Sequence, residues 1–326
     1  MIALAVARET WKLRAAFAIS RGSRTMAEVV TVELRAGDVA GRGECLPYAR
    51  YGESVESVLA EIEGLRAALA GGLDRAGLQR AMKPGAARNA LDCAFWDLEA
   101  KRACSSVAAL AGLPPPGPLV TCYTLSLGTA EDMGRAAAEN AHRPVLKLKV
   151  TGEGDLERVA AVHRNAPRAR LVVDANEGWT AAQYARFAPE LARLGVEMIE
   201  QPLPAKDDGA LAAIGHPIPV CADESCHGLD SLAHLAGRYE MINIKLDKTG
   251  GLTEALALKR AAEAMGFGVM VGCMIATSLS MAPAMLVAQG ARVVDLDGPL
   301  LLAGDRANGL RYDGSTVYPP TPALWG

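Results

Sequence analysis

The stretch Val145-Leu146-Lys147-Leu148-Lys149 decides the fold of this chain. Its apolar and polar residues alternate, which is the pattern of a β-strand. Because side chains two residues apart in a strand point to the same face, the two lysines project together. Two ammonium groups this close repel each other, so each is expected to lower the pKa of the other, and a lysine that is neutral near pH 7 can remove a proton from carbon. Taken alone, the stretch favours instead an exposed edge strand with two solvated lysines.

Four later apolar runs each end in a single charged residue. These end residues are, in chain order, Asp174, Glu200, Asp223 and Lys245. Counted from Lys147, the steps between successive ends are 27, 26, 23 and 22 residues, which is about the length of a strand, two short loops and one helix. Helical patterns between the runs span residues 156–165, 181–194 and 252–265. The alternation of strand and helix predicts a parallel sheet.

Three more apolar runs raise the number of predicted strands to eight. They span residues 119–125, 268–273 and 292–297. Eight parallel strands close a barrel, and the active site of such a barrel lies at the carboxyl ends of its strands. All the charged residues above fall at those ends, as do Asp295 and Asp297 of the last strand. Charge at five successive strand ends is hard to ascribe to chance, so we predict an α/β fold with a (β/α)7β barrel.

The first 116 residues predict a separate α+β capping domain. Residues 1–46 have the pattern of antiparallel strands, with loops expected at 19–25 and 41–52. Helices are expected at 55–70, with Ser54 as N-cap, from about residue 73, and at 86–110. The proline-rich segment 113–118 reads as a linker to the barrel domain, residues 117–303. The tail, 304–326, has no helical pattern, and we expect it to return across the capping domain and complete it.

Composition narrows the possible functions. The chain has 326 residues, 34 basic and 37 acidic, with a net charge of −3. No basic cluster is present, so a nucleic-acid partner is not expected. The seven cysteines form no CxxC pair, which favours reduced thiols in a cytoplasmic protein. We find no signal peptide and no apolar run of membrane-spanning length, so no membrane partner is expected. The sequence leaves the oligomeric state open, including a homo-oligomer.

The three carboxylates at neighbouring strand ends predict a metal site. Buried together without a cation, Asp174, Glu200 and Asp223 would repel one another strongly. A hard divalent cation relieves the repulsion, and an all-oxygen set of donors favours Mg²⁺ over zinc. Asn176 adds an amide that could hold a metal-bound water or a neighbouring carboxylate. The alternative is three separate strand ends, each with its own salt bridge.

The lysines of the second and sixth strands fall on opposite sides of the metal strands. A substrate carboxylate held between them would have one base on each face of its α-carbon. Lys149 could remove the α-proton from one face and Lys245 return a proton to the other, which inverts the stereocentre. Lys245 could instead be a solvated residue at a strand end, as we expect Lys248 to be.

These motifs together carry a family resemblance. The segments are KLK at 147–149, DAN at 174–176, EQP at 200–202, ADES at 222–225 and IKLDKTGG at 244–251. They resemble the enolase superfamily, in the muconate-lactonizing-like branch with lysines on the second and sixth strands, over nearly the whole chain. DLDG at 295–298 is similar to the Asp-x-Asp signature of dipeptide epimerases. Within these, epimerases of Ala-Glu-type dipeptides are most similar, by RGSR at 21–24, ECLPYARYGES at 44–54 and ARNALDCAFWDLEA at 87–100. The resemblance implies a Mg²⁺-dependent isomerase that acts on a small-molecule dipeptide and serves the recycling of cell-wall peptides.

The resemblance also implies a role for individual residues. Asp174, Glu200 and Asp223 would bind Mg²⁺, Lys149 and Lys245 would be the acid/base pair, and Lys147 would bind the substrate carboxylate. Asp295 and Asp297 would accept the dipeptide's α-ammonium group, since carboxylates at i and i+2 form a compact cation site. Thr124 and Arg24 would also contact the substrate, with the arginine on its side-chain carboxylate. Many relatives carry a glutamate where Ala276 stands, so contacts from the seventh strand would come from Cys273 and Ile275.

Several alternatives remain at this stage. One of Asp295 and Asp297 could be structural and the other a metal ligand, and Arg24 could simply be solvated. The enzyme could also be an N-acylamino-acid racemase, an o-succinylbenzoate synthase or a cycloisomerase of the same branch, whose substrates lack a free α-ammonium group. A barrel without catalytic activity that only binds a ligand is the third hypothesis, although both candidate bases and all three carboxylates argue against it.

Overall fold

The computed structural model describes all residues, Met1–Gly326. Its strands are β1 Ala3–Ile19, β2 Gly22–Ala36, β3 Val39–Cys45, β4 Leu119–Val120, β5 Tyr123–Leu125, β6 Val145–Lys149, β7 Arg170–Asp174, β8 Val196–Glu200, β9 Val220–Ala222, β10 Met241–Ile244, β11 Gly268–Gly272, β12 Val293–Asp295, β13 Tyr312–Asp313 and β14 Thr316–Val317. Its α-helices are α1 Val55–Glu63, α2 Arg66–Ala70, α3 Arg75–Ala81, α4 Ala86–Arg102, α5 Val107–Leu110, α6 Ala130–Glu139, α7 Asp155–Asn165, α8 Ala181–Arg193, α9 Leu232–Leu235, α10 Leu246–Thr249, α11 Leu252–Ala264, α12 Ser278–Ala288 and α13 Gly298–Leu301. Three 3-10 turns span Ala49–Tyr51, Gly209–Ala213 and Leu229–Ser231.

The amino-terminal region forms a three-stranded antiparallel sheet in the order β1-β2-β3. The expected antiparallel strands are confirmed, but the loop expected at 19–25 is wrong. The pairing of β1 with β2 continues to Ile19 and Gly22, so only Ser20 and Arg21 form the turn. Gly22 supplies a positive φ of 139° beside this turn. The polar composition of the segment reflects an exposed hairpin tip rather than an irregular loop.

The loop expected at 41–52 is also wrong in its first half, because residues up to Cys45 belong to β3. Gly41 and Gly43 lie directly against the backbone of α4. A Cβ at Gly43 would come 2.1 Å from the carbonyl oxygen of Ala90, and one at Gly41 would come 2.3 Å from that of Ala94. The two glycines are therefore required by the close approach of strand and helix, not by a turn.

The helices of this region follow the prediction with two interruptions. Ser54 caps α1 by accepting a hydrogen bond from the backbone N–H of Ser57. The helix expected at 55–70 is broken after Glu63 into α1 and α2, and the one expected at 86–110 is broken after Arg102 into α4 and α5. Cys104, with a φ of 48°, lies in the second break.

The barrel consists of eight strands in the order β12-β11-β10-β9-β8-β7-β6-β5, all parallel to their neighbours. The backbone N–H of Cys122, just before β5, donates to the carbonyl of Val294 in β12 and joins the two ends. The single first strand expected at 119–125 is divided, because Leu119 and Val120 pair with β14 of the carboxyl-terminal tail instead. The predicted α/β barrel fold is otherwise confirmed.

One buried side chain from or beside each barrel strand fills the amino-terminal end of the barrel. The eight are Cys122, Val145, Val172, Met198, Cys221, Met241, Met270 and Val293. This apolar layer closes that end, so the polar side chains of the same strands are left at the carboxyl ends, where the capping region covers them.

The carboxyl-terminal tail contacts the amino-terminal region at several points. The indole N–H of Trp325 donates to the carbonyl of Cys93 in α4 at 3.0 Å, and the N–H of Gly326 donates to Asp97 at 2.7 Å. Arg306 pairs with Glu9 of β1 and Glu44 of β3. The division into a domain of residues 1–116 plus the tail and a barrel of 117–303 stays a prediction. No helix of the chain has the length and apolar character needed to cross a membrane.

Candidate active site

A cavity of about 450 Å³ lies between the carboxyl ends of the barrel strands and the capping region. Ten of the twelve residues predicted for the site line it: Arg24, Thr124, Lys147, Lys149, Asp223, Lys245, Cys273, Ile275, Asp295 and Asp297. The other two, Asp174 and Glu200, are fully buried beneath it, in contact with Lys147. The capping region contributes the hairpin tip between β1 and β2 and the segment 48–51. The fold thus brings residues of the amino-terminal region and of the barrel together around one cavity.

Two lysines lie on opposite sides of the strands that carry the carboxylates. Lys149 ends β6 and Lys245 follows β10, and the strands β7, β8 and β9 lie between them. The Nζ atom of Lys149 is 2.6 Å from Asp174 Oδ2, and that of Lys245 is 2.7 Å from Asp223 Oδ2. Each of the two outer carboxylates therefore holds one of the two lysines, and both amines point into the shared cavity.

Lys147 is held by three carboxylates at once. Its Nζ atom lies 2.6 Å from Glu200, 2.7 Å from Asp295 and 3.2 Å from Asp174. Burial by itself lowers the pKa of this ammonium group, but the three carboxylates outweigh burial and raise the pKa well above its usual value. The expectation that Lys147 and Lys149 lower each other's pKa is wrong for Lys147, because three carboxylates lie within 3.2 Å of its ammonium group and favour the charged form.

The pKa of Lys245 is raised in the same way. Burial opposes the charge, and the carboxylates of Asp223 and Glu200 more than compensate. The same contacts act on the acids. Burial tends to raise the pKa of Asp174, but Lys149 and Lys147 hold it below its usual value. Burial and the neighbouring Asp174 raise the pKa of Glu200. The site therefore contains interleaved buried charges rather than a simple acidic cluster.

The donor set of the three carboxylates fits a hard divalent cation. In the structure no three His, Cys, Asp or Glu side chains are already arranged as a metal site, since lysine ammonium groups lie between the acids. Glu200 Oε2 is fully buried and forms no hydrogen bond, and its charged neighbour is the Lys147 ammonium at 2.6 Å. The ammonium of Lys147, itself a cation, lies between Asp174 and Glu200. All the donors are oxygens, which Mg²⁺ prefers, so the residues present suit that ion in chemistry and charge.

Amide side chains and strained backbone hold these carboxylates in place. Asn243 donates from Nδ2 to Glu200 Oε1 at 2.7 Å, and the N–H of Asn176 donates to Asp174 Oδ1 at 2.9 Å. Gln201 Oε1 accepts from the N–H groups of Asp223 and Ser225. Asn176 and Gln201 have positive φ angles of 44° and 34°. Such strain in residues other than glycine is found where a functional site requires a fixed geometry.

Asp295, the last residue of β12, and Asp297, two residues later, form an acidic wall of the cavity. Asp295 Oδ1 is buried and has no hydrogen-bond partner, while its Oδ2 contacts Lys147. Asp297 Oδ2 accepts from the backbone N–H of Thr124 at 2.7 Å. Burial and the nearby Asp295 raise the pKa of Asp297 to about 7. Two buried carboxylates with so little compensation would be stabilised by a cationic group of a ligand.

Two arginines of the hairpin tip differ sharply in their partners. Arg21, which the sequence reasoning missed, donates to Glu224 Oε1 at 2.8 Å, to the carbonyl of Asn176 at 2.8 Å and to the Tyr48 hydroxyl at 3.0 Å. Arg21 therefore connects the capping region to the carboxyl ends of the barrel strands by hydrogen bonds. Arg24 lines the cavity and forms no ion pair or side-chain hydrogen bond; its guanidinium carbon lies 5.7 Å from the centre of the Tyr48 ring. Arg24 is thus available to an anionic group in the cavity.

Lys248 corrects another expectation. It is not solvated but 3% exposed, with its ammonium hydrogen-bonded to Asp223 and Asn243. Tyr51, also missed, lines the cavity and packs edge-on against the ring of His227, with ring centres 4.8 Å apart.

The loop after β11 forms part of the cavity wall. Cys273 and Ile275 line the cavity together with Met274. Burial raises the pKa of the Cys273 thiol well above its usual value, so the thiol stays protonated. Ala276 is fully buried behind this wall. The backbone N–H of Thr277 donates to Glu44 of β3, which ties the loop to the capping region.

Comparison with known proteins agrees with this geometry. Residues 129–321 match the family model "Enolase C-terminal domain-like", and residues 1–112 match "Mandelate racemase / muconate lactonizing enzyme, N-terminal domain". The chain belongs to the enolase superfamily. The predicted family resemblance is therefore confirmed, and the strand-end residues described above lie in the barrel of an enolase-superfamily protein.

Two curated relatives cover almost all of the chain. One is the L-Ala-D/L-Glu epimerase of Escherichia coli strain K12, 48% identical over 96% of this chain and 98% of its own length. The other is the N-acetyl-D-glutamate racemase of a Pseudoalteromonas species, 41% identical over 91% of this chain and 95% of its own length. Both names describe inversion at the α-carbon of an amino-acid derivative.

Solved structures of the superfamily superpose over the same extent. A family member from Agrobacterium tumefaciens, with homology to dipeptide epimerases and with bound sodium and L-Ala-L-Glu, is 54% identical with a TM-score of 0.99 over 100% of both chains. A dipeptide epimerase from Cytophaga hutchinsonii, complexed with Mg and D-Ala-L-Val, is 27% identical with a TM-score of 0.92 over 98% of this chain and 94% of its own.

Proposed function

We propose that this protein is a magnesium-dependent epimerase that inverts the α-carbon of the C-terminal residue of an Ala-Glu-type dipeptide. One observation carries the proposal. Lys149 and Lys245 face one cavity from opposite sides of the carboxylate strands, and that cavity also contains the acidic pair Asp295 and Asp297. The Escherichia coli and Agrobacterium relatives support the substrate class.

Asp174, Glu200 and Asp223 are the residues that would hold Mg²⁺. When bound, the ion would balance their charge and stabilise the negative charge that develops on the substrate carboxylate as the α-proton leaves. The magnesium in the Cytophaga relative supports this choice of ion. Lys147 contacts Asp174 and Glu200 and also lines the cavity, and its ammonium group would bind the substrate carboxylate.

The two lysines would transfer protons to and from opposite faces of the α-carbon. The neutral amine of Lys149 would take the α-proton as the C–H bond breaks. The electron pair of that C–H bond would remain on the substrate, as part of the enolate. The ammonium of Lys245 would give a proton to the other face, forming a new C–H bond with inverted configuration. In the reverse direction the two lysines would exchange roles.

The remaining cavity residues would select the dipeptide. Asp295 and Asp297 would accept the α-ammonium of its first residue, and Thr124 would contact its backbone. Arg24 would bind the side-chain carboxylate of a C-terminal glutamate, since it is the guanidinium group in the cavity with no protein partner. Cys273 and Ile275 would line the apolar wall of the pocket. We further propose that the reaction serves recycling of cell-wall peptides in the cytoplasm.

Racemisation of an N-acylated glutamate is the second candidate, favoured by the Pseudoalteromonas relative. Such a substrate has a carboxylate on the α-carbon and on the side chain, which Lys147 and Arg24 would bind equally well. It has no α-ammonium group, however. It would leave Asp297 buried without a cation in contact, and Asp295 with only its contact to Lys147, which costs free energy. The acidic wall therefore favours the dipeptide.

The direct test is incubation of the purified chain with Mg²⁺ in D₂O and a panel of dipeptides and N-acyl amino acids. Proton NMR would follow loss of the α-proton signal and appearance of the epimer. We expect L-Ala-L-Glu to give the epimer with deuterium at the glutamate α-carbon, and faster than N-acetylglutamate. Absence of exchange with every compound of the panel would contradict the proposed function.

A further inference from the structure

Lys248 is a buried lysine that the proton-transfer scheme does not use. Its side chain is fully buried, and it does not line the cavity. A lysine is rarely buried unless its charge is compensated. The group that compensates it here is Asp223, one of the three carboxylates proposed as metal ligands.

All the hydrogen-bonding capacity of the Lys248 ammonium is used locally. It donates to Asp223 Oδ1 at 2.6 Å, to the carbonyl of Asp223 at 2.6 Å and to the carbonyl of Asn243 at 2.9 Å. These are three acceptors for three donor hydrogens. Two of them belong to the same residue, one on its side chain and one on its backbone. Lys248 therefore fixes the orientation of the Asp223 carboxylate relative to its own strand end.

The two oxygens of Asp223 have different partners. Oδ1 is held by Lys248 outside the cavity, and Oδ2 is 2.7 Å from Lys245, which lines the cavity. The backbone N–H of Asp223 is held as well, by Gln201 Oε1 at 2.9 Å. Only Oδ2 has a partner that belongs to the cavity, so Oδ2 is the oxygen available to a ligand there.

We infer that Lys248 is a positioning residue for the metal site, which orients Asp223 so that Oδ2 is presented for binding of a divalent cation. The inference deepens the proposed function and rests on its magnesium site. The inference predicts a change in Mg²⁺ affinity on removal of Lys248 that is opposite in sign to the change expected from charge alone. A positive charge next to a metal ligand repels the ion, so its removal would by charge alone strengthen metal binding. If Lys248 acts by orientation, its removal weakens metal binding, since loss of a group that orients a ligand costs 10- to 100-fold in affinity.

The test is isothermal titration of the full chain with Mg²⁺ in the absence of any dipeptide. We compare the wild type with Lys248→Met, which removes the charge and the donors but is only one atom shorter, and with Lys248→Gln, which supplies an uncharged amide donor. Lys259→Met is the matched control. Lys259 is a half-buried lysine that donates to the carbonyls of Val287 and Gln289, far in sequence from any proposed metal ligand. Circular dichroism establishes that each variant is folded.

We expect Lys248→Met to weaken Mg²⁺ binding by about 10- to 100-fold, Lys248→Gln to weaken it less, and Lys259→Met to leave it within about twofold. Unchanged or tighter binding in folded Lys248→Met overturns the inference. If that variant does not fold, Lys248→Gln decides by the same criterion. A wild type that does not bind Mg²⁺ overturns the inference together with the metal part of the proposed function. A wild type that binds Mg²⁺ but epimerises no dipeptide counts against the proposed function alone.

Discussion

The ammonium of Lys147 in β6 lies 2.7 Å from Asp295 Oδ2 in β12, and only β5 lies between the two strands. Under the proposed function these two residues bind opposite ends of the substrate, the carboxylate and the α-ammonium. A zwitterionic dipeptide can replace this internal ion pair with two new ones, and a substrate with only the carboxylate cannot. The pair therefore accounts for a preference for dipeptides.

Asp295→Asn should affect dipeptides more than N-acyl amino acids. A hydrogen bond to a charged group contributes about 1.5–3 kcal/mol, so we expect kcat/KM for L-Ala-L-Glu to fall about 10- to 100-fold. The loss for N-acetylglutamate should be much smaller, because it has no ammonium group to bind. Asp313→Asn, at the exposed β13, is the control. Equal losses of kcat/KM for both substrates would show that Asp295 does not bind the ammonium group.

Replacing one lysine at a time should separate exchange from inversion. In Lys245→Gln, Lys149 can still remove and return a proton on one face, so one epimer should exchange its α-proton for deuterium without inverting. Lys149→Gln should show the same behaviour with the other epimer. Epimerisation should fall by about 10²- to 10⁴-fold in each variant. Proton NMR in D₂O on each pure epimer measures the rate of α-proton exchange and the rate of epimerisation. If either variant still inverts its substrate at the wild-type rate, the two-base mechanism is ruled out.

Arg24→Met should reduce the selectivity for glutamate. Loss of one charge-assisted contact is expected to raise KM for L-Ala-L-Glu by about 10- to 100-fold, while KM for an uncharged analogue such as L-Ala-L-Met stays close to the wild-type value. Steady-state assays on both dipeptides measure the ratio. Arg135→Met, at an exposed arginine on α6, is the control for general charge effects. An unchanged ratio of the two KM values in Arg24→Met would place the glutamate contact elsewhere.

The contribution of Asp247 to the free energy of unfolding should fall as the pH rises from about 4 to about 7. Burial raises the pKa of Asp247 to about 7, above its ordinary value of 3.8. Between these two values the unfolded chain releases the proton while the folded chain retains it, so ionisation favours unfolding. Asp247 Oδ1 accepts from the N–H of Leu46 and the amide of Asn89, and an asparagine oxygen can accept the same bonds.

Asp247→Asn should therefore leave the free energy of unfolding nearly unchanged at pH 4 and increase it by a few kcal/mol, at most ~4 kcal/mol, at pH 8. Urea denaturation at both pH values measures the difference. Asp38→Asn, at the exposed turn after β2, should change neither value. If the stability difference between Asp247→Asn and the wild type is the same at both pH values, the Asp247 carboxyl is already ionised at pH 4.

The local sequence pattern was sufficient to predict the barrel and the positions at which its strands end. Alternation and spacing are local properties, so the positions of Lys149, Asp174, Glu200, Asp223 and Lys245 could be predicted without coordinates. The same approach failed at Gly41 and Gly43, which it assigned to a loop. Those glycines are required by the helix α4 against which β3 packs, and that helix begins some forty residues later in the chain.

Local patterns in the sequence are enough to predict the fold, the family and the set of ionisable groups at one end of the barrel. How those groups pair depends on the tertiary structure. It placed Lys147 among three carboxylates, which reverses the expected direction of its pKa shift, and it buried Lys248 against Asp223. The reason is physical: the energy of a buried charge depends on distances of 2.6–3.2 Å to partners from other strands, and a linear pattern carries no information about those distances.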